Sequence, residues 1–329
     1  MKATARWAWT ALGWNLLVII WGAFVRASGS GAGCGEHWPL CNGEVLPRSP
    51  KLETIIEFSH RFTSGIALLL VVALVVSAFR NAPVGHPVRR GARWCGFFIV
   101  TEALVGAALV LLGLVGVDPS RLRALFMAIH LINTFLLVAW LTLTAAWASG
   151  WKAGRGVLGL GSALRAPGGA WTVAALFAML VASTAGALTA LGDTLFPVET
   201  LSEGMAQDFA ANSHFLIRLR IFHPVLACLT AVSIWLGTRP GAENAPGAAV
   251  PASGRTGAPS FPLSQRTHLL AQWVSGLALG QIVFGSLNLV LLAPTWMQLV
   301  HLAWADALWI LLLLYASSWE AGERLKQSP

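Results

Sequence analysis

The sequence is short of charge. Asp, Glu, Lys and Arg make up 11% of its 329 residues, against 56% hydrophobic side chains. A soluble globular protein carries about 25% charged residues, so a soluble fold is excluded. Aspartate is scarce, with four residues. Asp118, Asp193, Asp208 and Asp306 stand alone in the chain, so there is no aspartate-rich motif of the kind that binds a metal-diphosphate. Cysteine is scarce too, with four residues. Cys95 and Cys228 fall in apolar helices without a cysteine neighbour and read as buried packing residues. A net charge of +8 could signal nucleic acid, but the basic residues lie between apolar runs and form no patch. That distribution excludes nucleic acid as a partner and fits orientation in a lipid bilayer.

What is abundant is long apolar sequence. Runs able to span a bilayer, roughly 17–25 residues, fall at 7–27, 56–79, 94–115, 124–147, 170–190, 216–237, 268–292 and 297–316. None looks broken. The first follows Lys2 and Arg6, as a signal peptide would, but its apolar stretch exceeds the roughly 7–15 residues of a signal h-region, so it reads as a retained helix. With the N-terminus inside, fourteen Lys and Arg lie on the inner side and eight on the outer side or at outer helix ends. Both termini are therefore expected in the cytoplasm.

The chain repeats itself weakly. WGAFVRASGSG ends the first span and TAGALTALGDT the fifth. EALVGAALVLLG in the third matches QIVFGSLNLVLLA in the seventh, and HLINTFLLVAWL opens the fourth as HLAWADALWILL opens the eighth. The expected fold class is an all-α integral membrane protein with eight transmembrane helices. They form two tandem four-helix bundles related by a pseudo-twofold axis along the membrane normal. Residues 1–150 form the first half, 151–169 a cytoplasmic linker and 170–329 the second half. A second cytoplasmic stretch, 239–265, is rich in Pro, Ala, Gly and Ser and reads as a disordered loop.

Four of the eight histidines lie inside spans: His60, His130, His223 and His301. They are the fifth, seventh, eighth and fifth residues of their spans. At about 1.5 Å per residue, all sit roughly 6–12 Å below the outer helix ends. Ionisable residues at membrane depth mark functional sites, and four at one depth, repeated in both halves, argue against simple hydrogen bonding to neighbours. Zinc or copper would want more ligands than two imidazoles, and no carboxylate or thiolate sits close in sequence to the second pair. Two imidazoles across a bundle core suit a haem. Arg61, Arg121, Arg123, Arg218 and Arg220 flank this layer. They read either as interfacial anchors or as forks for haem propionates.

The halves are not equivalent. Glu57 stands three residues before His60 and Arg220 three before His223, so each shares a face with its histidine. Glu57 can exchange protons with a bound molecule, or, since it falls in the first turn of its span, it can simply be favoured by the helix dipole. Glu102 and Gln281 occupy matching places. Glu102 is placed in the cytoplasmic half of its helix, away from the histidines, and reads as a brace between helices. Cys34 and Cys41 share a Gly-rich outer loop. In an oxidising compartment such a pair can form a disulfide, structural or electron-exchanging; the loop after the fifth span has no cysteine.

GSGAGCGEHWPLCNG after the first span, EFSHR at 57–61, HLINT at 130–134, FHP at 222–224 and HLAWA at 301–305 resemble the haem A synthase family. The resemblance covers all eight spans; EFSHR and the two-cysteine loop are its specific parts. It implies a multi-pass enzyme of the bacterial inner membrane that oxidises a ring methyl of haem O to a formyl group. The product, haem A, serves terminal oxidases. It implies a resident haem b ligated by His223 and His301, and a substrate haem O between His60 and His130, with Glu57 as the catalytic carboxylate. It also implies a Cys34–Cys41 disulfide and haem sites toward the outer side. Haem O synthase is the implied upstream partner and a terminal oxidase the recipient; Arg61, Arg123, Arg218 and Arg220 are the candidate propionate partners. This chain lacks the second cysteine pair that some members carry.

Three other readings compete. A non-catalytic dihaem b-type cytochrome would carry electrons across the membrane, although a transmembrane wire wants haems near both faces. A transporter with a site between repeats is disfavoured by the histidine layer and the unbroken spans. A farnesyl-transferring enzyme would need the missing aspartate motifs. With two histidines on one iron, either a ligand leaves or oxidation proceeds at the porphyrin edge.

Overall fold

In a computed structural model, residues 1–152, 160–164, 168–243 and 265–318 are described. The stretch 239–265 falls mostly outside them, as do Arg155, Arg165, Arg255, Arg324 and Lys326. The described chain is helical, apart from an isolated bridge between Cys41 and Glu44. The elements are α1 (Lys2–Ala27), α2 (Leu52–Asn81), α3 (Pro87–Leu111), α4 (Arg121–Ala148), α5 (Leu160–Ala163), α6 (Gly169–Leu195), α7 (Leu201–Phe209), α8 (Phe215–Leu219), α9 (Phe222–Glu243), α10 (Gln265–Val290) and α11 (Thr295–Ser318). Eight helices, with α8 and α9 counted as one, are long and apolar enough to cross a membrane. The protein is a multi-pass membrane protein.

The sixth span is interrupted, contrary to the expectation of unbroken helices. α8 ends at Leu219 and α9 starts at Phe222. Pro224 explains the break: it has no N–H to offer the carbonyl four residues back, and its ring clashes with that carbonyl. The turn falls at Arg220–Ile221, directly before His223.

Close helix pairs use small residues, as membrane packing requires. A Cβ on Gly237 would lie 2.8 Å from Thr172 Oγ1, bringing α9 against α6, and one on Gly280 would meet Trp304 at 2.7 Å, bringing α10 against α11. Polar side chains bridge helices near their ends: Thr4 Oγ1 lies 3.0 Å from Ser77 Oγ, and Tyr315 donates to the Gly237 carbonyl at 2.9 Å. Such bonds contribute about 0.6 kcal/mol each. Within the first half α1 packs on α2 and α4, and α3 on α2 and α4; in the second, α6 packs on α9, and α10 on α9 and α11. The halves meet through α1, α4, α6 and α11. α4 and α11 are the most enclosed spans, and Trp309 Nε1 donates to the Phe135 carbonyl across this seam at 3.0 Å. Leu69, Phe97, Phe177, Trp273 and Leu279 face outward, as lipid contact requires. Cys95 is buried as expected, but Cys228 is exposed on α9 and does not pack in the core.

Candidate functional site

His60 lies eight residues into α2, His130 nine into α4, His223 eight past Phe215 and His301 six into α11. The four helices start at the same end of the bundle, so the histidines form one layer. Each ring rests on a glycine of the preceding span. A Cβ on Gly22 would lie 2.8 Å from His60 Cε1, and one on Gly186 2.8 Å from His223 Cε1. Gly285 would meet His301 Cε1 at 3.1 Å and Gly106 would meet His130 Cε1 at 3.9 Å. These glycines occupy matching places in the repeated strings, and the first two leave no room for even a methyl group.

In the second half the His223 and His301 ring centroids are 6.3 Å apart and the rings are perpendicular. His223 Nδ1 lies 3.0 Å from the Ala182 carbonyl, which leaves Nε2 for another partner. His301 Nε2 lies 3.2 Å from Gln281 Nε2, while its Nδ1 is buried without a hydrogen bond. In the first half, Nδ1 of both His60 and His130 is buried without a hydrogen bond. Two imidazoles on opposite sides of a metal, with bonds of about 2 Å, put their ring centroids roughly 6 Å apart, so the His223–His301 pair fits this arrangement. Among the described residues, no three His, Cys, Asp or Glu side chains gather to hold a bare ion. A haem needs only axial ligands from the protein, so the buried imidazole nitrogens suit it better than zinc or copper.

Glu57 is 3% exposed and its carboxylate is fully engaged. Oε2 accepts from the Cys34 backbone N–H at 2.7 Å, and Oε1 accepts from Arg61 Nε and Nη2 at 3.1 and 2.5 Å. Arg61 Nη1 donates to the carbonyls of His37 and Leu40 at 2.5 and 2.6 Å. Cys34 and Cys41 form a disulfide with Cα atoms 4.4 Å apart. The Glu57–Arg61 pair therefore clamps the disulfide loop onto α2, directly above His60. α2 begins at Leu52, so Glu57 is the sixth residue of its helix and lies beyond the first turn. The helix-dipole reading loses its basis.

At the matching position Arg220 is also paired. Its Nε lies 2.9 Å from Asp193 Oδ1, Nη1 lies 3.8 Å from Asp208 Oδ1, and Nη2 donates to the Phe196 carbonyl at 3.0 Å. Asp193 and Asp208, isolated in sequence, converge on one guanidinium. Burial raises the Asp208 carboxyl above the usual carboxylate range, against the opposing pull of Arg220. Arg218 donates to the Ala211 carbonyl. Arg123 is buried and donates through Nη1 to the carbonyls of Gly116 and Asp118 at 2.8 and 2.7 Å, while its Nε has no partner. Arg26, passed over by the sequence reading, joins the halves: it donates to the Ala190 carbonyl, Thr194 Oγ1 and Gln298 Oε1 at 2.7–2.9 Å.

Glu102 is not remote from the histidines. Its Oε1 lies 3.5 Å from His130 Nδ1. α3 ends at Leu111 and runs antiparallel to α4, so Glu102, nine residues from the end of α3, is level with His130, nine residues into α4. The span assigned from sequence ended four residues later and pushed Glu102 too deep. The bracing role is correct, since Asn133 Nδ2 donates to Glu102 Oε2 at 2.6 Å and Thr134 Oγ1 donates to Oε1.

The chain is similar to a protoheme IX farnesyltransferase of Thermus thermophilus, 46% identical over 318 residues, covering 95% of this chain and 48% of that protein. The protein of the same name from a second strain of that species matches equally, at 46% over 318 residues. The chain thus spans about half the length of these relatives. It is also 45% identical over 98 residues to a heme A synthase of Bacillus cereus, covering 30% of this chain and 32% of that protein. Residues 5–313 match the family model described as cytochrome oxidase assembly protein, and the chain belongs to this COX15-CtaA family.

Proposed function

We propose that this chain is a haem A synthase, an oxidoreductase that converts a ring methyl of haem O to a formyl group. The carrying observation is the pair of imidazoles 6.3 Å apart at the depth of a second, matching pair. The matched glycine contacts support reading the halves, 1–150 and 170–329, as a pseudo-twofold tandem repeat joined by a linker. On this reading His223 and His301 hold a resident haem b, and His60 and His130 receive haem O. Bound at these ligands, haem supplies one-electron redox chemistry. The protein's own part is positional. Gly22 and Gly186 fix ring orientation, and the Glu57–Arg61 clamp closes the disulfide loop over the first site and shields it from water. Glu57, three residues before His60, is the carboxylate that would exchange a proton there on release from Arg61. Arg123, whose Nε is unpartnered, and Arg218, which commits Nη2 to the Ala211 carbonyl, have donors left for a propionate; Arg61 and Arg220 would have to release a protein partner first.

The basic-residue distribution supports cytoplasmic termini in a bacterial inner membrane, with the histidine end outward, where a disulfide persists. The name of the Thermus relatives supports a farnesyltransferase making haem O as the upstream partner; a terminal oxidase would receive the product. That name belongs to chains about twice the length spanned here. This chain's own aspartates serve other ends: two of them neutralise Arg220, and Asp118 accepts from Ser120. The test is to purify the protein and extract its haems. Haem b together with haem O or haem A is expected, with haem A lost in Glu57→Ala. Haem b alone in both sites, unchanged by Glu57→Ala, would make the chain a dihaem cytochrome.

A further inference from the structure

The two halves back their histidines differently. Glu102 on α3 and Gln281 on α10 hold matching places in the repeated strings, and each reaches the histidine of the following helix. Glu102 Oε1 is 3.5 Å from His130 Nδ1, a buried nitrogen without a hydrogen bond. Gln281 Nε2 is 3.2 Å from His301 Nε2. The carboxylate is held in place. Asn133 Nδ2 donates to its Oε2 and to the Phe98 carbonyl at 2.6 and 2.9 Å, and Thr101 Oγ1 fixes the Asn133 amide at 2.6 Å. Thr134, one turn past His130, presents its hydroxyl to Oε1. In the second half His223 rests on a backbone carbonyl and His301 beside a carboxamide. Each of those partners is neutral.

A carboxylate at the far nitrogen of a ligating imidazole fixes the ring and makes it a stronger donor, which stabilises the oxidised metal. We propose that Glu102 is the positioning residue for His130. It turns Nδ1 toward itself and Nε2 toward the iron, and it sets the first-site iron at a lower reduction potential than the second. This rests on the haem reading given above.

The test is a spectroscopic redox titration of the purified holoprotein. Glu102→Gln keeps the shape and the brace but removes the charge. It is expected to shift the first-site ferric–ferrous equilibrium about tenfold toward ferrous, about 59 mV upward for a one-electron couple, with the second-site potential unmoved. Glu102→Asp keeps the charge but withdraws it from His130 Nδ1; it is expected to move the first-site potential upward by less and leave the second in place, and it carries the test should Glu102→Gln fail to fold. If bis-imidazole spectra persist and neither potential moves, or both move together, Glu102 is only a structural brace. Absence of a bis-imidazole spectrum from the wild-type protein would instead overturn the haem reading itself.

Discussion

The two halves solve one packing problem in the same way and then diverge in the charges set around their histidines. Both seat a histidine on a glycine of the preceding span. Three residues earlier, the first half has Glu57, whose partner Arg61 ties down a disulfide loop. The second has Arg220, neutralised by Asp193 and Asp208, beside a helix break. On the proposed reading, opposite charges at one position of a shared scaffold are how the two sites would acquire different roles. The first site is covered by a cross-linked loop, and the second is fastened to the protein by a buried ion cluster.

Breaking the clamp has the largest expected effect. Arg61→Ala leaves Glu57 buried and unpaired; losing one partner of a buried pair costs about 3–5 kcal/mol. Thermal denaturation in detergent should show a large loss of stability, together with loss of haem from the first site only. Glycine substitutions sharpen the comparison. Gly22→Ala and Gly186→Ala must each displace a ring that stands 2.8 Å from the new Cβ, so each should lose about half the bound haem, from opposite sites, as read by pyridine haemochrome content. Equal losses from both sites would show that the halves are not independent. Reducing the Cys34–Cys41 bond should cost roughly 2 kcal/mol, the range for a small closed loop, and should leave the His223–His301 site untouched in the same assay. Gly106→Ala has the smallest effect: its Cβ would sit 3.9 Å from His130, ordinary contact, and haem content should stay at the wild-type level.

Much of this was legible in the sequence. Apolar length located all eight spans, and the histidine spacing put the four histidines at similar distances from their helix starts even though those starts differ from the expected ones by several residues. The glycine-to-histidine spacing, 38 residues in one half and 37 in the other, already encoded the contacts. What escaped depended on neighbours or on finer punctuation. Glu102 reached the site because antiparallel helices bring distant residues level, and a four-residue error at the end of α3 hid this. The break before His223 had a visible signal in Pro224. α7 had one too: Thr200 accepts from the Glu203 N–H while Glu203 returns to the Glu199 N–H, a capping arrangement written as Thr-x-x-Glu. The partners of Arg220 were unreadable, because Asp193 and Asp208 meet it only through the fold.

The most direct test of unequal sites is haem extraction from His60→Ala and His223→Ala. His60→Ala is expected to keep its haem b and make no haem A, while His223→Ala loses haem b. Haem b lost equally from both variants, with haem A formation surviving in His60→Ala, would contradict the inequality of the sites.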